Sequence, residues 1–245
     1  MARPVFYDLN VYSAPEGKNT IEEMAAFSSR LEFSGIAITN PSGSSQPVKA
    51  KIVNDLEVFS GVEIRVDNPS RLHGMVGKYR KNTDVIVVHG GSENINRAAV
   101  ENSNVDVLCG FGSMKDNGLN HVLAKSASDN NVAISFDLGE VISQRGGRRV
   151  RTLSNFRKDL AIVRKYDVPF ILTSNARSCY DLRAPRELIA LAQLFGMTKE
   201  EAVRGLSDTP ESIISRNRPS SNYVFEGVEI VDGMSGDAIG EGDGQ

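Results

Sequence analysis

Cysteine is nearly absent from this chain of 245 residues: Cys109 and Cys179 are the only two. They form no zinc-ligand spacing and no disulfide framework. Histidine is almost as scarce, with His73, His89 and His121 the full set, so a metal centre built on several imidazoles has little to draw on. No run approaches the roughly 18–20 apolar residues that span a bilayer. The opening residues 1–8 lack the apolar stretch of a signal peptide, so a soluble, cytoplasmic protein with no membrane contact is expected. Also missing are a Gly-x-Gly-x-x-Gly after the first apolar run and a Gly-x-Ser-x-Gly elbow, which weighs against a dinucleotide fold and a serine hydrolase. Signatures of base-reading RNA modules and clusters of stacking aromatics are lacking too.

What is present is regular alternation. Seven short apolar runs rich in Val, Ile, Leu and Phe cover residues 5–11, 35–39, 58–66, 84–89, 105–108, 132–138 and 169–173. Most are nearly continuous, as parallel strands covered on both faces require. Helical periodicity fills the gaps at 94–102, 119–130, 153–166, 185–195 and 199–206, and around His73. Thr20 with Glu23 forms a capping-box pattern, Thr198 is placed to cap the helix at 199, and Thr209-Pro210-Glu211 opens another. Alternating strands and helices predict right-handed βαβ units. The expected fold is a TIM-like parallel β/α barrel of about seven strands, one domain over residues 1–218. A C-terminal extension, 219–232, and a disordered Gly- and acid-rich tail, 233–245, should follow.

The net charge of −3 conceals an uneven distribution. Six acidic residues and no basic ones lie in 226–245, leaving 28 basic residues against 25 acidic in the rest. Residues 145–165 hold eight basic side chains and one acidic, Asp159. Arg145, Arg148, Arg149 and Arg151 surround Gly146-Gly147, a pattern that predicts a flexible loop of guanidinium forks suited to several phosphates. Backbone and shape recognition of RNA fits this charge better than base reading does.

In parallel barrels the working face lies at the C-terminal ends of the strands. Asp8, Asn10, Glu63, His89 and Asp137 fall there, as does Cys109, expected to be a small core residue. These polar groups are expected to be structural, hydrogen-bonded across the barrel mouth, with no catalytic residue, no metal and no cofactor. His89-Gly90-Gly91 is a weaker candidate for a phosphate cradle through backbone N–H groups.

Several segments together resemble a known family. Tyr7-Asp8-Leu9-Asn10-Val11, Gly61-Val62-Glu63-Ile64, Val88-His89-Gly90-Gly91, Asn96-Arg97-Ala98-Ala99-Val100-Glu101, Asn120-His121-Val122-Leu123-Ala124-Lys125, Arg164-Lys165-Tyr166-Asp167-Val168-Pro169 and Tyr180-Asp181-Leu182-Arg183-Ala184-Pro185-Arg186-Glu187 run in the order of the archaeal ribonuclease P protein component 3 family, related to the eukaryotic thirty-kilodalton subunit. The resemblance implies a barrel like that of the polymerase-and-histidinol-phosphatase (PHP) metallohydrolases. It implies a subunit of the endoribonuclease that removes the 5′ leader from precursor tRNA, a subunit that binds the catalytic RNA and does not itself cleave. The implied partners are the ribonuclease P RNA, protein component 2 in a two-plus-two heterotetramer, the other ribonuclease P proteins, and precursor tRNA through the holoenzyme. Arg97, His121 and Lys125, in matched segments, join the expected RNA footprint with Arg177 and Arg183. PHP enzymes open with His-x-His where this chain has Asn10 and Tyr12, and the resemblance places Cys109 and Arg177 at other would-be ligand positions. A free-standing PHP-like phosphoesterase and a barrel that binds only protein remain the alternatives.

Overall fold

Nearly continuous apolar strands need cover on both faces, and the chain supplies it by returning a helix after almost every strand. The computed structural model describes residues 4–43, 47–112, 114 and 118–218, with the backbone of 223–225 and 228–229. In chain order the first half runs β1 (Tyr7–Val11), α1 (Ile21–Arg30), β2 (Gly35–Ile38), β3 (Lys51–Val53), β4 (Leu56–Ile64), α2 (Pro69–Arg80), β5 (Val85–His89), α3 (Glu93–Val100), β6 (Val107–Cys109) and α4 (His121–Asp129). The second half runs β7 (Ala133–Asp137), α5 (Leu138–Ser143), α6 (Gly146–Tyr166), β8 (Phe170–Thr173), α7 (Pro185–Gln193), α8 (Lys199–Leu206) and α9 (Asp208–Asn217). A two-stranded antiparallel hairpin follows, β9 (Tyr223–Phe225) with β10 (Val228–Glu229). The expected tail over 233–245 lies outside the described residues. Among those described, no helix is long and apolar enough to cross a membrane.

Seven parallel strands pair in the order β1-β2-β4-β5-β6-β7-β8 and form a nearly closed barrel. Alternation along each strand separates two apolar layers. Leu9, Ala37, Phe59, Val85, Val87, Val107, Cys109, Ala133 and Ile171 fill the lumen. Ile86, Val88, Leu108, Ile134 and Leu172 face outward onto the helices. Phe136, Phe156, Phe170 and Phe195 form the aromatic part of that outer layer, with ring centroids 5.2–5.9 Å apart.

The end of the barrel away from the mouth is plugged by α9. Its Ile213 enters the lumen cluster, and its last residues are tied to the strand starts. Arg216 donates to Asp106 Oδ1 at 2.9 Å, and Arg218 holds Asp84 through Nε at 2.8 Å and Nη2 at 3.0 Å. Arg218 also pairs with Glu57 and lies over the Phe59 ring. Arg216 and Arg218 are therefore structural.

Three local features depart from expectation. β3 forms an antiparallel hairpin with β4, turned by Asn54 and Asp55 at φ +51° and +62°, the left-handed pair a tight two-residue hairpin needs. The short helix α5 was hidden by the apolar run of β7, which it directly continues. Most consequentially, the predicted loop at 145–151 is the start of α6. Gly146 adopts φ +55°, and the Gly-Gly pair falls in the first turn, where a helix has little to lose, while arginine is a good helix former. Thr152 and Asn155 fix that start: Thr152 Oγ1 donates to Gln144 Oε1, and Asn155 Nδ2 to the carbonyls of Gly112 and Met114.

Candidate functional site: the barrel mouth and its basic rim

The mouth holds three buried carboxylate clusters, the first of them at the seam of the barrel. Asp8, on β1, is fully buried and accepts from β8 across the gap where the barrel has no backbone ladder. Thr173 Oγ1 donates at 2.5 Å, Ser174 Oγ at 2.5 Å and the Ser174 N–H at 3.0 Å. The Asn10 N–H adds a fourth bond at 3.3 Å. Burial pushes the Asp8 carboxyl above its usual range, against these four donors. Asn10 accepts from Thr39 Oγ1 at 2.5 Å, tying β1 to the end of β2.

Glu63, at the end of β4, is the centre of the second cluster. Arg65 grips both carboxylate oxygens, Nε to Oε2 at 2.9 Å and Nη2 to Oε1 at 3.1 Å. Tyr12 donates to Oε2 at 3.1 Å, His89 Nδ1 meets Oε1 at 3.1 Å, and Cys109 Sγ approaches Oε1 at 3.8 Å. Burial opposes ionisation of Glu63, but the bonds from His89 and Arg65 outweigh it and hold the carboxyl below its ordinary value. Burial pushes the Cys109 thiol up, helped by Asp137 and Glu63, so it stays protonated at neutral pH.

Asp137 ends β7 and accepts from Ser135 Oγ at 2.5 Å and the Gly110 N–H at 3.2 Å. Burial first and nearby Glu140 second push it up to about 7. Gly110 is required here, since its φ is +94° and a Cβ would fall 3.1 Å from the His89 ring. The proposed phosphate cradle at Gly90-Gly91 is corrected: the Gly90 N–H is spent on the Cys109 carbonyl and the Gly91 N–H on Asn96 Oδ1.

Around this mouth lies a rim of cations. Parallel connections place the start of each following helix at the C-terminal ends of the strands. Arg97 on α3, His121 and Lys125 on α4, and Arg145 to Arg151 at the start of α6 are all exposed there. Arg177, just beyond β8, lies with its guanidinium 4.2 Å from the Tyr12 ring centroid. Three arginines of the expected footprint are engaged within the protein. Arg97 pairs with Glu101 at 3.3 Å, and Arg149 donates to the Gln144 and Ile142 carbonyls at the end of α5. Arg183 Nη1 donates to the Tyr180 and Leu182 carbonyls. Further along α6, Arg164 pairs with Glu201, and Asp159, the stretch's acidic member, is turned inward and buried.

The RNase P subunit p30 family model matches residues 5–222. Ribonuclease P protein component 3 of Methanococcoides burtonii is 56% identical over 230 residues, covering 94% of this chain and 95% of its own length. That of Methanosarcina barkeri is 50% identical over 235 residues, covering 95% and 98%. A chain in the cryo-EM structure of archaeal ribonuclease P with mature tRNA superposes with a TM-score of 0.75 at 28% identity, covering 92% of this chain and 98% of that one. This chain belongs to the RNase P subunit p30 family. It is a protein subunit of the endoribonuclease ribonuclease P, with the barrel that its sequence pattern predicts. Histidinol phosphate phosphatase of Lactococcus lactis, solved with zinc, shares the fold alone, at 9% identity and a TM-score of 0.50 over 76% of this chain and 93% of that one.

Whether this p30-family mouth suits a metal is decided by its own donor atoms. Glu63, His89 and Cys109 each offer a donor atom, all within 4.8 Å of one another. The set does not fit a hydrolytic centre. Both Glu63 oxygens are already held by the Arg65 guanidinium, whose positive charge would repel a metal cation bound at the same carboxylate. Asn10 and Tyr12 supply an amide and a phenol bound to Thr39 and Glu63 rather than imidazoles. Titration of the purified protein with Zn²⁺ or Mn²⁺ is expected to give no stoichiometric tight binding, and the RNA-free protein no cleavage of precursor tRNA. Tight uptake with phosphoester hydrolysis would restore the metalloenzyme alternative.

Sequence reasoning found the residues of the mouth but missed Arg65, which makes Glu63 tolerable as a buried charge. The available signal was its spacing: two residues on from Glu63, past the strand end, it shares the same face of the extended chain.

Proposed function

We propose that this subunit supports 5′-leader removal from precursor tRNA by binding the catalytic RNA through the basic rim of its barrel mouth. The observation that carries the reading is the start of α6. Arg145, Arg148, Arg149 and Arg151 crowd the positive end of the helix dipole, and its first turn holds no acidic residue. Cations at that end are each disfavoured by roughly 0.3–1 kcal/mol, an arrangement that a polyanion would convert into a gain. In this reading Arg148 and Arg151, three residues apart on one helix face, are the central phosphate contacts. Arg97, His121, Lys125, Arg145 and Arg177 extend the footprint, while Arg149 and Arg183 contribute only the donors left over from their backbone bonds.

Protein component 2 is the proposed direct partner, in a two-plus-two heterotetramer, beside the other protein subunits, and the cytoplasm the proposed site of action. Precursor tRNA is met through the assembled enzyme. The name borne by the 56% and 50% identical relatives, and the archaeal ribonuclease P assembly that contains the 28% identical chain, support RNA and protein partners of this kind.

The test replaces Arg148 and Arg151 together by Ala, leaving Arg149 to hold the end of α5. Each lost phosphate contact should flatten the slope of log affinity against log salt by about 0.7–0.9. Filter binding to the ribonuclease P RNA across a salt series should show a flattening of about 1.5 units, with melting temperature nearly unchanged because both side chains are exposed. An unaltered slope would place the RNA elsewhere.

A further inference from the structure

We infer that Tyr180 is a stacking platform for an unpaired base of the bound RNA, an inference that rests on the RNA-binding reading of the rim. The sequence shows no cluster of stacking aromatics, and a single ring can serve only if it is held out rigidly. Tyr180 meets that condition. It is 84% exposed, yet it sits between two anchors, Cys179 at 6% and Leu182 at 4%. The turn at its base is closed by the Asp181 N–H on the Ser178 carbonyl at 3.0 Å. Asp181 Oδ2 accepts from Ser178 Oγ at 2.8 Å and from the Arg177 N–H at 3.2 Å. Arg183 Nη1 braces the far side by donating to the Tyr180 carbonyl at 2.8 Å, and the Cys179 N–H is tied to Asn19 Oδ1 at 2.9 Å.

A turn bonded this fully has little backbone freedom left to lose on binding. Holding a large ring in water forgoes the burial that aromatic side chains normally seek. The neighbours decide the kind of occupant. Arg177, Arg183 and Arg186 lie within six residues of the ring, while the nearby carboxylates are engaged: Asp181 as above, and Glu187 on the Ala184 N–H at 2.9 Å. Among the described residues of 174–193, Tyr180 is the single exposed large apolar side chain. A protein hot spot would draw on several apolar side chains together, whereas one exposed ring with three arginines within six residues of it in sequence matches the pairing of stacking and phosphate contact used on single-stranded nucleic acid. Arg177, fixed on the Tyr12 face with no carboxylate partner among the described residues, is placed to take the adjoining phosphate.

Stacking and phosphate contact leave different signatures. Binding of the full chain to the ribonuclease P RNA should be measured by filter binding across a salt series for the wild type, Tyr180→Phe and Tyr180→Ala, with binding to component 2 measured in parallel. Tyr180→Ala is expected to weaken RNA binding by about five- to a hundredfold at every salt concentration, with an unchanged slope. Tyr180→Phe should stay within about twofold of wild type, and affinity for component 2 should not move. Near-wild-type RNA binding by Tyr180→Ala, loss limited to component 2, or equal loss in the Phe variant would each overturn the inference. If Tyr180→Ala binds normally while the Arg148→Ala/Arg151→Ala variant flattens the salt slope, only the stacking role falls. If the wild-type chain shows no affinity for the RNA, the reading of the rim falls with it.

Discussion

Asp8→Ala is expected to cost about 3–5 kcal/mol of stability, because it strips the acceptor from buried donors on both sides of the barrel seam. The Ser174 N–H and hydroxyl and the Asn10 N–H all lose their carboxylate. Thr173 retains a second acceptor, the Asn10 carbonyl at 3.0 Å, which keeps the loss below the sum of four broken bonds. For a domain of this size the melting temperature should fall by roughly 10 °C. Asp8→Asn keeps one acceptor oxygen and should lose clearly less. Thermal unfolding of both variants beside pre-tRNA cleavage by the reconstituted holoenzyme checks the claim. An Asp8→Ala protein that melts like wild type but no longer supports cleavage would require a chemical role for this carboxylate.

Arg65→Ala is the second large effect, and its size depends on pH. Glu63 is fully buried and Arg65 is its cationic partner, so removing the guanidinium leaves an uncompensated charge in the barrel mouth. Breaking a wholly buried pair costs about 3–5 kcal/mol. Arg65 is 45% exposed, and solvent screening reduces the expected loss to about 2 kcal/mol at neutral pH. The wild-type Glu63 carboxyl is held below its ordinary value. Its contribution is therefore present above the usual carboxylate range and lost as pH falls through the depressed value. Without Arg65, burial dominates and the carboxyl rises, so the variant gains stability relative to wild type as pH falls. The difference between the two proteins in urea unfolding should accordingly be larger at pH 7.5 than at pH 5. Glu63→Gln combined with Arg65→Ala should recover most of the loss at pH 7.5, since no buried charge remains. A double variant no better than Arg65→Ala would mean that Arg65 matters through packing.

Which arginines are available for RNA is a question of their partners. Arg216 and Arg218 are chemically identical to Arg148 and Arg151 but are committed to Asp106, Asp84 and Glu57 at the plugged end of the barrel. Arg149 belongs to the same sequence cluster as Arg148, yet it bonds the carbonyls that end α5. Counting charge along the chain finds the arginine-rich segment and overestimates how many of its forks are free.

The sequence by itself determined the order of the seven parallel strands, since the covering of each strand on both faces is written locally as an unbroken apolar run; β3 and α5 were not legible in that way. It also determined where α1 and α8 begin, because a capping box closes within four residues: Thr20 with Glu23 and Thr198 with Glu201. Asn10, Glu63, His89 and Asp137 were legible for the same reason, each falling at or near the C-terminal end of a recognisable strand, whereas Asp8 is the second residue of β1. Tertiary structure alone decided what those groups do. Asp8 meets Thr173 across 165 residues of chain, and Glu63 meets Tyr12 across 51. Only the closing of the barrel brings such partners within 3 Å or so. The start of α6 was likewise a tertiary decision, taken by Asn155 reaching carbonyls more than forty residues away. Local pattern reports the period and the cap of an element. Whether a buried charge is neutralised, or an arginine left free, depends on atoms that the chain brings together only when it folds.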